Sequence, residues 1–146
     1  MKTIKEKKEL STHRQLVIFF SDMALATRGF RPKITEKDAA NLKKTLELKY
    51  IDQTRLEQIM LYFLADKSFK NLGPSIATML SATVINSLRN KLINRHQFYK
   101  ELDQYADRYM KRERKPHPTQ VPMDAMLKEL YEKLSVKKEP GQVEAG

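Results

Sequence analysis

Apolar residues recur along this chain at intervals of three and four positions, in about five segments that begin near residues 12, 35, 53, 74 and 95. Because an α-helix turns once in about 3.6 residues, this spacing places the apolar side chains of each segment on one helical face. Paired runs of alternating apolar and polar residues, which would predict a β-hairpin, do not occur. The pattern predicts an all-α fold, a compact bundle of about five helices with a peripheral C-terminal helix.

Residues that favour helix ends flank several of these segments. Ser11 and Asn94 stand where N-caps are expected, and Thr35 with Asp38 resembles a capping box in which Asp replaces the usual Glu. Gly29 follows the first segment and suits the left-handed conformation that commonly ends a helix. These residues predict the limits of the first helix and the starts of the second and fifth.

The segment over residues 74–93 has two interpretations. Its apolar residues fit one continuous helix that begins at Pro74. Ser81 also suits an N-cap, which would give a short helix and then a longer one, like the recognition helix of a helix-turn-helix, with Asn86 and Asn90 facing outward. The glycine-containing turn that usually joins two such helices is missing, so both interpretations stay open.

Composition divides the chain into successive parts, and Pro116 and Pro118 mark the main boundary because they stop any helix. The first ten residues mix Lys with Glu and hold little apolar surface, which is typical of disorder. The predicted parts are a disordered basic lead-in (residues 1–10), a helical domain (11–112), a basic proline-containing linker (113–121), an amphipathic helix (122–135) and a disordered tail (136–146).

The helix after the linker carries a complete apolar stripe, formed by Met123, Met126, Leu127, Leu130, Tyr131 and Leu134. Since the two prolines separate it from the preceding helix, we predict that it docks in the groove of a protein partner. Its methionines suit an adaptable binding surface. The alternative is that the stripe folds back over the five-helix core, and the sequence favours neither.

The charge of the chain is strongly positive, with 28 Lys and Arg against 18 Asp and Glu, which gives a formal net charge of +10. Such a charge attracts polyanions, whether nucleic acid, anionic lipid or an acidic protein. No stretch approaches the roughly 20 apolar residues that a membrane span needs. Cysteine is absent, so disulfides and cysteine-ligated metals are excluded. We therefore predict a cytoplasmic protein without a membrane span.

Motifs that would indicate catalysis are missing from the sequence. His13, His96 and His117 lie on three different segments, and no two histidines have the spacing of a metal site on a helix. No glycine-rich phosphate loop and no nucleophile motif occur. The sequence predicts a protein that is not an enzyme, takes no cofactor or metal, and works by binding.

A long stretch of the chain is free of acidic residues, from Lys67 to Lys100. Its cations stand among Ser, Thr and Asn, the side chains that commonly contact phosphates and base edges. Beyond it lies a second basic cluster, part of which suits the C-terminal end of a helix. The predicted nucleic-acid-binding residues are Lys67, Lys70, Asn86, Arg89, Asn90, Lys91, Arg95 and Lys100 from the stretch, and Arg108, Lys111, Arg112, Arg114 and Lys115 from the cluster.

Residues 37–115 resemble a helical module of phage and plasmid replication proteins, the C-terminal segment of replisome organisers that recruit the replicative helicase or its loader. Trp, which often marks the second helix of that module, is absent here. The resembling segments are residues 38–44 (Asp-Ala-Ala-Asn-Leu-Lys-Lys), 62–66 (Tyr-Phe-Leu-Ala-Asp), 67–69 (Lys-Ser-Phe) and 84–92 (Val-Ile-Asn-Ser-Leu-Arg-Asn-Lys-Leu). The resemblance implies an accessory role in replication.

Together these features predict a small basic helical protein that binds nucleic acid, DNA before RNA. It would be an accessory protein of a replication, recombination or transcription complex of phage or mobile-element type. The alternative is a protein–protein adaptor or a structural component that does not touch nucleic acid. In that case the charge would serve solubility or an acidic partner.

Overall fold

A computed structural model of the chain describes residues 11–110 and 121–145, with side chains described as far as residue 134. Within these ranges the structure is helical and contains no strand, which confirms the predicted all-α class. The α-helices are α1 (Thr12–Arg28), α2 (Glu36–Leu46), α3 (Gln53–Ala65), α4 (Ile76–Met79), α5 (Ala82–Lys91), α6 (Arg95–Tyr109) and α7 (Met123–Ala145), and two 3-10 turns cover Lys67–Phe69 and Leu92–Asn94.

The helix ends follow the predicted capping residues with one exception. Thr35 and Asp38 form the full reciprocal capping box, with both hydrogen bonds at 3.2 Å. Gly29 has φ of +90°, the left-handed conformation that glycine adopts without steric cost, and Asn94 caps α6. Ser11 stands at the N-cap position of α1, but its side chain makes no capping hydrogen bond.

The segment over residues 74–93 is divided, so the continuous-helix interpretation is wrong. α4 ends at Met79, and α5 starts after Ser81, whose hydroxyl accepts a hydrogen bond from the backbone N–H of Val84 at 3.3 Å. The extended backbone of Ser81 (φ −77°, ψ 153°) interrupts the helix there. A serine that satisfies a free N–H in this way favours a new helix start over helix continuation.

The core is built around α3, which is buried on most of its circumference. α1 packs along one side of α3 and α6 along another, and α5 supplies further apolar side chains. A helix with apolar residues on nearly every face is one that other helices surround. The buried residues of these helices include Leu16, Phe19 and Phe20 of α1, Leu56, Ile59, Met60, Tyr62 and Phe63 of α3, Leu88 of α5, and Phe98 and Leu102 of α6.

The C-terminal helix belongs to this core, which contradicts its predicted role as a separate docking element. Met123, Met126, Leu127 and Leu130 are buried, and Tyr131 and Leu134 pack against the core with partial exposure. α7 lies against α5, so the stripe covers apolar surface of its own chain and the fold-back alternative is the one observed. Burial of such a stripe removes a large apolar area from water, and a partner cannot reach it in this arrangement.

Polar contacts fix the position of α7 as well. The Glu129 carboxylate accepts hydrogen bonds from the backbone N–H groups of Lys49 at 2.9 Å and Tyr50 at 2.6 Å. Arg55 donates to the carbonyl of Val121 at 2.7 Å. These bonds tie α7 to the segment between α2 and α3, and the residue Val121 just before α7 to α3 itself.

The limits of α7 also differ from the predicted ones. The helix continues to Ala145, whereas the sequence predicted a helix end near residue 135 and a disordered tail over residues 136–146. The prediction rested on the polar composition of this segment and on its proline and glycine, Pro140 and Gly141. Polar composition indicates exposure but does not by itself end a helix. The predicted lead-in (residues 1–10) and nearly all of the predicted linker lie outside the described residues.

Arg28, the last residue of α1, joins α1 to the end of α3 through backbone carbonyls. Its guanidinium donates to Leu64 at 2.8 Å, Phe69 at 3.0 Å and Leu72 at 2.8 Å, with a longer contact to Phe63 at 3.5 Å. A helix C-terminus leaves carbonyls without partners and carries partial negative charge. The Arg28 guanidinium donates hydrogen bonds to carbonyls at the end of α3 and in the turn that follows it, and its positive charge offsets the partial negative charge of the helix end.

Candidate nucleic-acid interface

The outward face of α5 is neutral and polar. Val84, Ile85 and Leu88 anchor the helix in the core. On the opposite side Asn86 and Asn90 are exposed, as the second interpretation of residues 74–93 predicts, and Thr83 is exposed beside them. Their amides and hydroxyl can donate and accept hydrogen bonds, which is what the edges of bases require.

A first group of cations borders this face. Lys91 Nζ donates to Ser68 Oγ at 3.2 Å, which places the end of α5 beside the 3-10 turn Lys67–Phe69. Lys67 and Lys70, at the two sides of Ser68 in the chain, are both exposed. The fold therefore brings three of the predicted phosphate-binding residues together, and we call Lys67, Lys70 and Lys91 the lysine rim.

A second group of cations lies where α5 and the start of α6 meet α7. Arg89 places its guanidinium over the Tyr131 ring, 4.9 Å from the ring centre, and Arg95 forms an ion pair with Asp124 at 3.0 Å. Both predicted residues therefore also hold α7 in place. Lys128 lines a groove with Arg89. We call Arg89, Arg95 and Lys128 the second rim.

Lys128 was missed by the sequence analysis, because it lies 28 residues beyond the acid-free stretch, in the helix that was predicted to be a separate docking element. The signal that could have found it is the apolar stripe of α7. Once that stripe is assumed to fold back on α5, Lys128 falls on the side of α7 next to Arg89.

Lys100 and Arg108 stand apart from both rims. They lie on the exposed face of α6, and this face also carries Asp103 and Asp107. Asp103 is three positions from Lys100 and is therefore its neighbour on the helix, where it offsets the charge of Lys100. Arg108 directly follows Asp107 in the chain. The prediction grouped Lys100 with the acid-free stretch because it considered the chain and not the surface. Lys111, Arg112, Arg114 and Lys115 lie outside the described residues.

A buried polar cluster supports the lysine rim from below. Asp66, only 5% exposed, accepts hydrogen bonds from the Tyr105 hydroxyl at 2.7 Å and the backbone N–H of Ser68 at 3.0 Å. Burial alone would raise the pKa of the Asp66 carboxyl, but these hydrogen bonds and the charge of Lys91 outweigh it and hold that pKa below its ordinary value. Asp66 is thus ionised beneath the surface and helps to position the turn that carries Lys67 and Lys70.

The neighbouring tyrosines are held in the neutral form. The Tyr62 hydroxyl donates to Glu101 at 2.8 Å. Burial first, and then the hydrogen bonds to acidic partners, raise the pKa of Tyr62 and Tyr105 above the ordinary tyrosine range. The Tyr62 ring is buried and packs edge-on against Phe98 and Tyr105, and Tyr105 packs against the core with partial exposure, so both tyrosines are structural.

The pKa shifts in this cluster predict that the fold loses stability at both low and high pH. A lowered folded-state pKa means that Asp66 stabilises the fold above its unfolded pKa of about 3.9 and that this contribution is lost as the pH falls through the folded pKa. The raised tyrosine pKa values act in the opposite sense, since their contribution is present below about pH 10 and is lost as the pH rises further. Urea unfolding from pH 2 to 11 measures both limits.

Asp66→Asn is the variant that tests the acid limit. It keeps an acceptor for Tyr105 and removes the carboxylate, so the loss of stability below about pH 4 should become shallower than in the wild type. Asp103→Asn, at an exposed position on α6, is the matched control and should leave the pH dependence unchanged. If Asp66→Asn and wild type lose stability equally at low pH, Asp66 is not the group that causes this loss.

Among residues 11–110 and 121–134, no group of three or more His, Asp or Glu side chains is placed to hold a metal ion. No helix in the described part of the chain is long and apolar enough to cross a membrane. Comparison with family models, with curated proteins and with solved structures gave no match to this chain.

Proposed function

We propose that this protein binds nucleic acid, DNA before RNA, through the outward face of α5 and the two rims beside it. The observation that carries the proposal is the arrangement of charge around α5. A neutral face with exposed Asn86 and Asn90 is bordered by the lysine rim on one side and the second rim on the other. Nucleic acid is a polyanion whose base edges form hydrogen bonds. Cations on both sides of this face suit its phosphates, and the amides between them suit its base edges.

The two rims have different parts in this proposal. Lys67 and Lys70 are exposed and contact phosphates, which gives affinity that depends on salt and not on sequence. Asn86 and Asn90 face the bases and supply any sequence preference. Arg89 and Arg95 add charge while they hold α7, so substitutions there change the fold as well as binding.

The proposed setting is an accessory, non-catalytic role in a cytoplasmic replication, recombination or transcription complex of phage or mobile-element type. The resemblance of residues 37–115 to the helicase-recruiting module of replisome organisers supports it. Such modules act by bringing partners together, which agrees with a surface that offers charge and hydrogen-bonding amides.

A second candidate function is that of a protein adaptor, and one observation favours it. Ile18 and Leu25 lie seven positions apart, and so on the same side of α1, and their side chains are 46% and 43% exposed. Apolar residues at this spacing can enter the groove of a partner. With the stripe of α7 buried, this side of α1 is the surface that an adaptor would use.

The double variant Lys67→Glu/Lys70→Glu tests the proposed function. We expect its Kd for a short DNA duplex to rise about 100-fold at low salt, about tenfold per reversed phosphate contact. The slope of log K against log salt should decrease in magnitude by about 1.8, since each contact contributes about 0.9. Fluorescence anisotropy at several salt concentrations measures both quantities.

Lys37→Glu/Lys44→Glu on α2 is the matched control, because it changes the net charge equally at exposed positions far along the chain. Its Kd should rise by less than about threefold through the weaker overall field. Equal losses in the two variants would mean that only net charge matters. A wild type that binds neither DNA nor RNA at low salt would overturn the proposal in favour of the adaptor.

A further inference from the structure

Ile93 projects into solvent to an unusual degree. It is 87% exposed, whereas the next most exposed large apolar side chain in the described part of the protein, Phe30, is 52% exposed. It lies in the 3-10 turn Leu92–Asn94, where α5 ends and α6 begins. A large aliphatic side chain at such a corner contributes almost nothing to the core, so the core does not explain its presence.

The turn that carries Ile93 is held firmly. Leu92 packs against the core, and the Asn94 side chain caps α6 by accepting a hydrogen bond from Gln97 at 3.4 Å. A β-branched side chain on such a base has few rotamers. Ile93 is therefore a stiff apolar projection whose position is set before any partner arrives, which lowers the entropy cost of binding.

Cations lie near this projection, both in the chain and in the groove that Ile93 helps to line. Lys91 and Arg95 lie two positions to either side in the chain, and a shallow groove of about 390 Å³ begins at Ile93 itself. The groove is lined by Arg89, Leu92, Ile93, Asp124, Ala125 and Lys128. Its carboxylate, from Asp124, is paired with Arg95, so the charge left facing the groove is positive.

We infer that Ile93 is a wedge that inserts between stacked base pairs of a DNA duplex while the surrounding cations hold the phosphates. The inference rests on the proposed function and names how that surface engages its ligand. A DNA duplex carries phosphates on its outside and stacked apolar base faces inside. In the inferred complex the cations contact the phosphates and the Ile93 side chain contacts the base faces. Proteins that insert a single apolar side chain in this way unstack one base step and kink the duplex.

A membrane also combines an anionic edge with an apolar interior, but the surface fits it less well. Insertion into lipid gains from each buried apolar group, so peripheral proteins present several such residues together. Ile93 is instead flanked by Asn90 and Asn94, whose amides would lose hydrogen bonds to water in lipid but can contact base edges. DNA is therefore the occupant that the chemistry favours.

The test uses a short DNA duplex with 2-aminopurine, a base whose fluorescence rises when it is unstacked. Wild-type protein at saturation should raise this fluorescence about threefold or more, and Ile93→Ala should lose most of the rise because Ala is too short to separate base pairs. The Kd of Ile93→Ala should change by less than about tenfold, since phosphate contacts supply most of the affinity. Ile93→Leu, which keeps the length, should retain the rise.

Phe30→Ala, at the next most exposed large apolar side chain, is the matched control, and its fluorescence rise should equal that of wild type. If wild type binds the duplex without a rise, or Ile93→Ala keeps it, the wedge is wrong while the proposed function stands. If wild type binds no nucleic acid, both fall. Sedimentation with vesicles of phosphatidylcholine and phosphatidylglycerol completes the test, because vesicle binding lost in Ile93→Ala would assign the residue to a lipid surface instead.

Discussion

Ending the chain after Lys115, and so removing α7, is expected to abolish cooperative unfolding and leave an aggregation-prone protein. α7 buries Met123, Met126, Leu127 and Leu130 against the rest of the chain, and its loss exposes the apolar surface of α5 that these residues cover. An uncovered apolar face of this kind drives association between molecules. Thermal unfolding followed by circular dichroism, with light scattering on the same sample, measures the effect.

Single substitutions make this prediction quantitative. Leu127→Ala should lower the free energy of unfolding by about 2–5 kcal/mol, the usual cost of truncating a buried leucine. Glu132→Ala, at an exposed position of the same helix, should change it by less than about 0.5 kcal/mol. A shortened chain that melts where the full chain does would show that α7 is a docking element after all.

Arg28→Ala should cost about 2–4 kcal/mol of stability, which is large for a residue outside the apolar core. The substitution removes the Arg28 donor from the carbonyls of Leu64 and Leu72, whereas the Phe69 carbonyl still accepts from the backbone N–H of Leu72 at 3.0 Å. Each unsatisfied group at a partly buried position costs about 1–3 kcal/mol before water replaces the donor. Urea unfolding at neutral pH measures the loss.

Two further variants separate geometry from charge at this position. Arg28→Lys keeps the charge but lacks the planar fork that reaches several carbonyls, so it should recover less than half of the loss. Arg31→Ala removes the exposed ion pair with Asp22 (2.7 Å) and should cost less than about 1 kcal/mol. If Arg28→Ala and Arg31→Ala cost the same, the carbonyl contacts of Arg28 contribute little.

Local signals in the sequence predicted the helical elements well. The capping box at Thr35, the left-handed Gly29 and the serine start of α5 were all readable, because caps depend on residues only a few positions apart. The choice between one helix and two over residues 74–93 could not be made from periodicity, since both have the same apolar spacing. The hydrogen bond of Ser81 decided it.

Contacts between distant segments could not be predicted in the same way. In the sequence Arg28 is a cation at the end of a predicted helix. No neighbouring residue indicates that its side chain donates to carbonyls more than 30 residues away. The stripe of α7 fitted a partner's groove as well as its own core, because an apolar face does not specify what covers it. For the same reason the sequence listed Lys100 among the binding cations, and the fold placed it beside acids.

The contact between Glu129 and the backbone of Lys49 and Tyr50 has a consequence for how the chain acquires its structure. It joins groups about 80 residues apart, and the burial of α5 by α7 also waits for the last helix to be made. During synthesis α1 to α6 emerge first and form local contacts, while the surface meant for Leu127 and Leu130 stays open to water. Non-local contacts of this kind slow folding, and the open apolar surface favours association of the nascent chain with other molecules until α7 has emerged and covered it.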